Sequence, residues 1–244
     1  MENRIVAIIP FHNASPFIKE CYASLRSQHY RNYTLLFCDD CSDDGSADLL
    51  PQQEDILLIQ QQERSYALKN IYDALSAFDF EEDDILAFVD GDDFLPHPEV
   101  FATMNDIYQQ TSCLLTYGQY NTDTGLPGHC LPYTRAEFEN LRKNDWVASH
   151  LKSFKYKLYR AFLEQDPTAK AYKDEKGTFY SMAYDVALMY PLMEIAGYEH
   201  VYFNERIVYT YRIHAQNEMN INRPLQIETE KQIRSRQPFE RVFK

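Results

Sequence analysis

Apolar residues form five short runs in the first half of the chain, and polar residues follow each run. Such runs predict strands that are covered on both faces. The predicted strands are 5–9, 35–37, 56–59, 85–89 and 114–117. Between these runs apolar residues recur at helical spacing, over 17–25, 68–78 and 100–108. Strands that alternate with helices predict an α/β fold with a mainly parallel sheet between two helical layers.

After about residue 120 the pattern changes. Apolar positions from 146 to 162 recur at the spacing of an amphipathic helix. Residues 166–181 are polar and predict a loop, and 184–196 predict a helix that Gly197 closes. Two short strands are predicted at 201–203 and 207–211. No repeat or clear linker divides the chain, so a single domain is expected.

The overall composition supports a globular protein and disfavours one class of partner. The chain has 244 residues, of which 45% are hydrophobic, enough for one domain with a sizeable core. Its formal net charge of -13 would repel a phosphate backbone, so we expect no nucleic-acid partner. A nucleotide ligand is not excluded, because a divalent metal can reverse the sign of a local field.

The cysteines and the N-terminal residues indicate a cellular location. Five cysteines, an odd number, do not suggest a secreted disulfide framework. Cys38 and Cys41 have CxxC spacing, which could serve metal or redox chemistry, but no second CxxC or nearby His pair completes a zinc site. We therefore favour a buried strand end at Cys38 and a loop at Cys41. The apolar run before Pro10 is too short for a signal sequence or a membrane span, so a soluble, cytoplasmic protein is expected.

Two acidic clusters, 39–40 and 90–93, follow predicted strands directly. The carboxyl ends of parallel strands share one edge of a sheet, where ligands bind in this fold class. Three carboxylates within 90–93 repel one another unless a cation holds them, and hard oxygen ligands suit Mn²⁺ or Mg²⁺. Gly91 would allow a phosphate or the backbone to approach closely. An acidic surface turn is the alternative, because Asp and Gly are common in turns.

Four blocks, in order along the chain, resemble the motifs of the inverting glycosyltransferases of family 2, which have the GT-A fold. The blocks are IVAIIPFHN at 5–13, FCDDCSDDGS at 37–46, RSYALKN at 64–70 and FVDGDDFL at 88–95. The resemblance implies a Rossmann-like, mainly parallel sheet flanked by helices, with a mixed α/β C-terminal half on the acceptor side. It implies a nucleotide-sugar-binding half over 1–120, an acceptor-side and catalytic half of the same domain over 121–222, and a C-terminal helix or tail over 223–244.

The resemblance assigns five residues of the first half to the nucleotide. Pro10, His12 and Asn13 lie in the loop that cradles the nucleotide in the family, and His12 replaces a more usual Tyr. The imidazole could stack on the base or could simply pack the loop. Asp40 matches the acid that binds the base, and a carboxylate can accept from a uracil N–H. Arg64 matches a position that reaches the nucleotide; a solvated charge is the alternative.

The resemblance also implies a metal site. Asp90 and Asp92 form the DxD motif, in which Asp92 is the leading metal ligand, and Asp93 binds either metal or donor-sugar hydroxyls. His214 resembles a late His that could be a further ligand or a contact to the diphosphate. Arg212 could hold phosphate through its fork of donors. A lone His is more often structural, which is the alternative for His214.

Inverting transfer needs a base, because the acceptor hydroxyl must lose its proton as it attacks, and carboxylates commonly do this work. In the family the base is an acid just before or within the first turn of a late helix. Asp185 matches that position, although Tyr184 stands where the family often has Glu. The alternative for Asp185 is a first-turn carboxylate that the helix dipole favours.

Two positively charged regions have further candidate roles. His150, Lys152 and Lys155 fall on or near the helix predicted there and could face the donor phosphates, although spaced basic residues usually form a solvated face. The tail 231–244 has five basic residues against Glu240, with apolar residues between them. It could make a weak contact with a membrane surface, but a solvated tail is favoured.

Together these features predict a metal-dependent glycosyltransferase. The expected donor is a nucleotide-diphosphate sugar, with UDP favoured over GDP or dTDP because Asp40 suits uracil. The acceptor would be a hydroxyl of a glycan, a lipid-linked sugar or a small molecule, and the metal Mn²⁺ or Mg²⁺. A non-catalytic relative that binds a nucleotide sugar or carbohydrate is the alternative. A nucleotidyltransferase is less favoured, because 10–13 lack a glycine- and lysine-rich loop.

Overall fold

The computed structural model describes residues 2–53, 55–215, 217 and 222–243. Within them the strands are β1 Ile5–Phe11, β2 Tyr33–Asp39, β3 Ile56–Gln60, β4 Ile85–Phe88, β5 Leu115–Thr122, β6 Lys152–Lys155 and β7 Val201–Tyr211. The α-helices are α1 Ile18–Arg26, α2 Tyr66–Ala77, α3 Val100–Gln110, α4 Arg135–Phe138, α5 Tyr156–Gln165, α6 Tyr184–Ala196 and α7 Arg223–Arg234.

The described strands form one mixed sheet in the order β3-β2-β1-β4-β6-β5-β7. The first four strands in sequence are parallel to one another. β6 runs antiparallel to both β4 and β5, and β7 is parallel to β5. The predicted α/β fold is therefore confirmed, and the carboxyl ends of β1, β2 and β4 lie at the same edge.

The sheet is covered on both faces, which explains the continuous apolar runs. In β1, Val6 and Ile8 face the core beneath α2, α5 and α6, whereas Ile5, Ala7 and Ile9 face the core beneath α1 and α3. All five side chains are buried because a helical layer packs against each face. The five predicted strands are thus confirmed, with small changes at their ends.

The prediction of a helix over 146–162 was wrong in its first half. The helix α5 begins only at Tyr156, and Lys152–Lys155 form the strand β6 between β4 and β5. In a short segment the spacing of apolar residues does not distinguish a helix from a strand. Here backbone pairing with β4 on one side and β5 on the other makes β6 a strand. The two short strands predicted after residue 200 are one strand, β7, whose pairing with β5 is interrupted by register shifts.

Two segments, one predicted as a polar loop and one as a solvated tail, contain residues that pack against the core. Within 166–181, Tyr172 lies in a short 3-10 helix and is fully buried. In the C-terminal region Ile233 is buried, and the Phe239 ring lies 5.5 Å from the Phe162 ring. The interpretation of 231–244 as a solvated tail was therefore wrong for Ile233 and Phe239, whereas Val242 is exposed. No helix in the described ranges is long and apolar enough to cross a membrane.

The two cysteines with CxxC spacing lie as the sequence suggested. Cys38 is buried near the end of β2, and Cys41 is exposed in the loop that follows. Both are free thiols. Because the Cys38 sulfur is buried, the pair does not present two thiols at the surface to a metal or a redox partner.

Candidate functional site

The acidic segment 90–93 forms a tight turn at the carboxyl end of β4. The Asp93 amide donates to the Asp90 carbonyl at 3.0 Å, and the Gly91 amide donates to the Pro10 carbonyl of β1 at 3.0 Å. A Cβ atom at Gly91 would lie 2.4 Å from the Phe11 Cβ. Glycine is thus required at this position by the close approach of β1.

Hydrogen bonds from distant parts of the chain hold the carboxylates of this turn. The Tyr184 hydroxyl donates to Asp90 Oδ1 at 2.6 Å. The Tyr209 hydroxyl donates to Asp93 Oδ2 at 2.7 Å and accepts from the Asp90 amide at 3.1 Å. The Arg212 amide donates to Asp93 Oδ1 at 2.8 Å. Helix α6 and strand β7 therefore fix the geometry of the acidic turn.

The turn concentrates negative charge in a poorly solvated place. Burial raises the pKa of Asp90 and raises the pKa of Asp93 well above its usual value, and the Asp92 charge raises both further. The Lys152 ammonium and the Tyr184 hydroxyl act in the opposite direction on the pKa of Asp90. The cluster is therefore short of positive charge, which a bound cation would supply.

A buried imidazole completes a group of ligand atoms that the sequence did not reveal. One atom each from Asp90, Asp93 and His150 lie within 4.8 Å of one another. The His150 ring stacks on the Tyr209 ring at 4.3 Å, and burial lowers the His150 pKa well below its usual value. His150 was predicted to face phosphates from a helix. It instead precedes β6, and no local motif marks it as a neighbour of the acidic turn.

Asp92, the remaining carboxylate of the acidic turn, pairs with a second histidine, His214. His214 Nε2 lies 2.8 Å from Asp92 Oδ2, so the predicted metal residues Asp92 and His214 are brought together. Arg212 braces the same turn: its Nε donates to the Asp92 carbonyl at 2.8 Å, and its Nη2 donates to Glu20 at 2.7 Å. The guanidinium also lies over the Phe94 ring at 5.0 Å. These two contacts use two of the five guanidinium N–H donors, so the predicted role of Arg212 in holding a phosphate stays a prediction.

The proposed base lies beside the acidic turn. Asp185 is in the first turn of α6, and its Oδ2 accepts from Trp146 Nε1 at 3.1 Å. The adjacent Tyr184, the residue that departs from the family motif, makes the hydrogen bond to Asp90. Ala183, which precedes the helix, has φ 53, a left-handed conformation that turns the chain into α6. The N-terminus of α6 thus meets the carboxyl end of β4.

Residues predicted to bind the nucleotide cluster at the ends of β1 and β2. Asp40 accepts from the Ser65 amide at 2.6 Å and from the Tyr66 amide at 2.9 Å, and Arg64 Nε lies 3.7 Å from its carboxylate. His12 Nδ1 lies 2.9 Å from the Asp40 carbonyl. Tyr66 has φ 64, which is a strained value for a bulky residue. The structure thus groups His12, Asp40 and Arg64, with Asp40 largely buried.

Two other residues predicted for this loop have structural contacts. Pro10 lies within β1 and is buried, so its placement in the loop was wrong. The Asn13 amide group donates to Asp43 Oδ1 at 2.9 Å, and Asn13 Oδ1 accepts from the Asp43 backbone at 3.0 Å. Asn13 also has φ 49. Its side chain therefore ties the first loop to the second.

The basic residues predicted to share a helix face lie on β6 and point to different surroundings. Lys152 pairs with Phe88 across the sheet and is only 1% exposed. Lys155 lies at the other end of the strand, where its Nζ is 3.0 Å from an oxygen of Asp83. The prediction that both lie on one helix was therefore wrong, and of the two lysines it is Lys152 that contacts Tyr184 beside the acidic turn.

The fold of this chain is similar to that of solved glycosyltransferase structures. S. aureus TarS 1-349 in complex with UDP-GlcNAc superposes with a TM-score of 0.63 at 15% identity, covering 88% of this chain and 60% of that one. The mannosyltransferase PcManGT from Pyrobaculum calidifontis, in complex with GDP-Man and Mn²⁺, gives 0.62 at 17% identity and covers 98% and 66%. At these identities the comparison establishes the shared GT-A fold.

Sequence comparison carries the assignment further. The glycosyltransferase GlyA of Streptococcus pneumoniae serotype 4 is 24% identical over 185 residues, which cover 67% of this chain. The chain spans only a quarter of that relative, as the match covers 25% of GlyA. Residues 6–166 match the sequence profile of glycosyl transferase family 2, and they include both acidic clusters. The chain therefore belongs to glycosyl transferase family 2.

Proposed function

We propose that the chain is a metal-dependent, inverting glycosyltransferase that takes a sugar from a nucleotide-diphosphate donor, UDP-sugar in the first instance. One observation carries the proposal: the 2.6 Å hydrogen bond from Tyr184 to Asp90 joins the helix that bears the base candidate to the acidic turn. A metal-bound diphosphate and an activated acceptor hydroxyl would then meet in one place.

The donor set supports a metal at the acidic turn. Asp90, Asp92 and Asp93 supply carboxylate oxygens, and His214 lies against Asp92. Carboxylates are the ligands that Mn²⁺ and Mg²⁺ prefer, and their mutual repulsion is relieved when a dication binds. When bound, the metal would neutralise charge on the departing nucleotide. Arg212 would support the site indirectly, because it fixes the turn that carries these ligands.

The nucleotide would lie beyond β1 and β2, against His12, Asp40 and Arg64. Two backbone amides hold Asp40, but each carboxylate oxygen has a second lone pair that could accept from a uracil N–H. Solved structures of TarS contain UDP or UDP-GlcNAc, whereas that of PcManGT contains GDP-Man and Mn²⁺. The buried acid at position 40 favours UDP for this chain. On this proposal 1–120 bind the donor, 121–222 bind the acceptor, and 223–244 support that half.

Asp185 would act as the general base. Trp146 donates to its Oδ2, which orients the carboxylate and leaves Oδ1 outside that bond. The free oxygen would take the proton of the acceptor hydroxyl as that hydroxyl attacks the anomeric carbon, opposite the departing nucleotide.

Thermal unfolding with UDP, with and without Mn²⁺, tests the donor and metal parts together. We expect UDP with Mn²⁺ to stabilise the protein, by about 2.7 kcal/mol at a hundredfold excess over Kd, and UDP alone to do much less. Asp92→Ala should remove the metal dependence. Asp83→Ala is the matched control, because it removes the same charge from an exposed acid that pairs with Lys155.

No stabilisation at millimolar UDP and Mn²⁺ would refute this donor and metal assignment. Release of free sugar from a panel of nucleotide sugars, or its transfer to an acceptor, would separate an enzyme from a binding relative. A protein that binds the donor but neither hydrolyses nor transfers it would favour the non-catalytic alternative.

A further inference from the structure

A buried lysine lies beside the acidic turn and contacts two of its neighbours. Lys152 Nζ donates to the Tyr184 hydroxyl at 3.2 Å, and that hydroxyl donates to Asp90 Oδ1 at 2.6 Å. The same Nζ lies 3.3 Å from His150 Nδ1 and 4.8 Å from the centre of the Tyr184 ring. Lys152 is 1% exposed, whereas buried lysines are rare unless they are paired.

The pairing of β4 with β6 places the ammonium there. Lys152 lies opposite Phe88 in the antiparallel ladder, and cross-strand partners point to the same face of a sheet. Asp90 follows two residues after Phe88, so its side chain continues along that face toward Tyr184. The strand register therefore directs a cation toward the acidic turn.

The contact with His150 has a chemical consequence. An ammonium can only donate, so Nδ1 of His150 must accept and the ring proton must lie on Nε2. In this state the Nδ1 lone pair is occupied, and Nε2 carries a proton and cannot bind a metal. Lys152 thus engages His150 directly and Asp90 through Tyr184, which are two of the three residues whose ligand atoms converge.

We infer that Lys152 is a built-in counter-cation of the metal-free site, and that its hold on His150 and Asp90 competes with the binding of a divalent metal. The inference rests on the proposed function for the metal itself. Lys152 would keep the acidic turn intact between turnovers. It would also weaken metal affinity, because a fixed positive charge repels the incoming ion and occupies one of its ligands. Lys152 is a positioning residue in this account.

Titration with Mn²⁺ alone, followed by electron paramagnetic resonance of the free ion, tests the competition. Even with the screening of bulk water, a unit charge a few ångströms from a dication changes affinity by about tenfold, so in this buried place Lys152→Met should bind Mn²⁺ at least about tenfold more tightly than wild type. In EDTA the same variant should have a lower Tm, and Mn²⁺ should recover more of it than in wild type. If Lys152 were merely structural, its replacement would lower Tm without raising the affinity for Mn²⁺.

Lys155→Met is the matched control, because it removes the same charge from the same strand, far from the acidic turn; its Mn²⁺ affinity should equal that of wild type. Lys152→Gln, which keeps a donor near Tyr184 and His150, replaces Lys152→Met if that variant does not fold. Equal or weaker Mn²⁺ binding by the Lys152 variants overturns this inference alone. Absence of Mn²⁺ binding in wild type overturns both it and the metal in the proposed function.

Discussion

Replacement of Tyr209 by Phe removes a single hydroxyl from beneath the acidic turn and leaves the aromatic packing in place. That hydroxyl donates to Asp93 Oδ2 at 2.7 Å and accepts from the Asp90 amide at 3.1 Å. The ring itself is fully buried and stacks on His150, a contact that Phe retains. The substitution therefore isolates the two hydrogen bonds.

The loss of stability can be worked out from the hydrogen bonds that the Asp93 carboxylate and the Asp90 amide lose. A hydrogen bond to a charged group contributes about 1.5–3 kcal/mol, and an orphaned buried amide costs about 1–3 kcal/mol. We expect Tyr209→Phe to lower the free energy of unfolding by about 3 kcal/mol, which for a chain of this size lowers Tm by about 6–12 °C. Mn²⁺ affinity should also fall, because Asp90 and Asp93 lose the hydroxyl that fixes their positions relative to each other.

Urea unfolding in EDTA measures the first effect, and Mn²⁺ titration measures the second. Tyr211→Phe is the matched control: its ring also stacks on His150, at 5.7 Å, but its hydroxyl makes neither of these bonds. The reasoning is refuted if Tyr209→Phe lies within about 0.5 kcal/mol of wild type, the range of ordinary surface substitutions. It is also refuted if Tyr211→Phe loses as much stability.

Three further predictions concern the same edge of the sheet. Asp185→Asn should keep the UDP–Mn²⁺ thermal shift but lower the transfer rate about 10²- to 10⁴-fold, so unchanged transfer would remove Asp185 as the base. Gly91→Ala should cost about 1–3 kcal/mol in urea unfolding, because its Cβ would lie 2.4 Å from that of Phe11; a neutral result would show that β1 can move away. In EDTA, wild type should lose stability relative to Asp93→Asn as the pH of the unfolding experiment rises. The raised pKa of Asp93 means that the folded state holds its proton more tightly, so this contribution is present below the usual Asp pKa and is lost as pH rises through the raised value. A relative stability that rises with pH would contradict that sign.

Much of the acidic edge of the sheet could be predicted from the sequence. The apolar runs at β1, β2 and β4 are continuous because helices cover both faces of the sheet. Each run can be recognised from its own few residues, without knowledge of distant contacts. The acidic clusters follow β2 and β4 directly, and parallel strands bring their carboxyl ends to one edge. Local pattern and topology together were therefore enough to predict where Asp40 and Asp90 lie.

The remaining parts were decided by contacts between residues that are distant in the chain. Lys152 and His150 reach the acidic turn only because β6 inserts antiparallel between β4 and β5, and a four-residue strand leaves no periodic signal. The hydroxyls of Tyr184 and Tyr209 hold Asp90 and Asp93. The sequence marked Tyr184 only as a departure from the family motif, and it indicated neither of these hydrogen bonds.

The sequence alone thus determined the fold class, the first five strands and the edge at which the acids gather, because these follow from local burial patterns and the parallel arrangement that they predict. Only the tertiary structure decided which groups neutralise and orient those acids. Hydrogen bonds and charge interactions depend on distances of a few ångströms, and such distances are set by sheet register and helix packing rather than by neighbours in sequence.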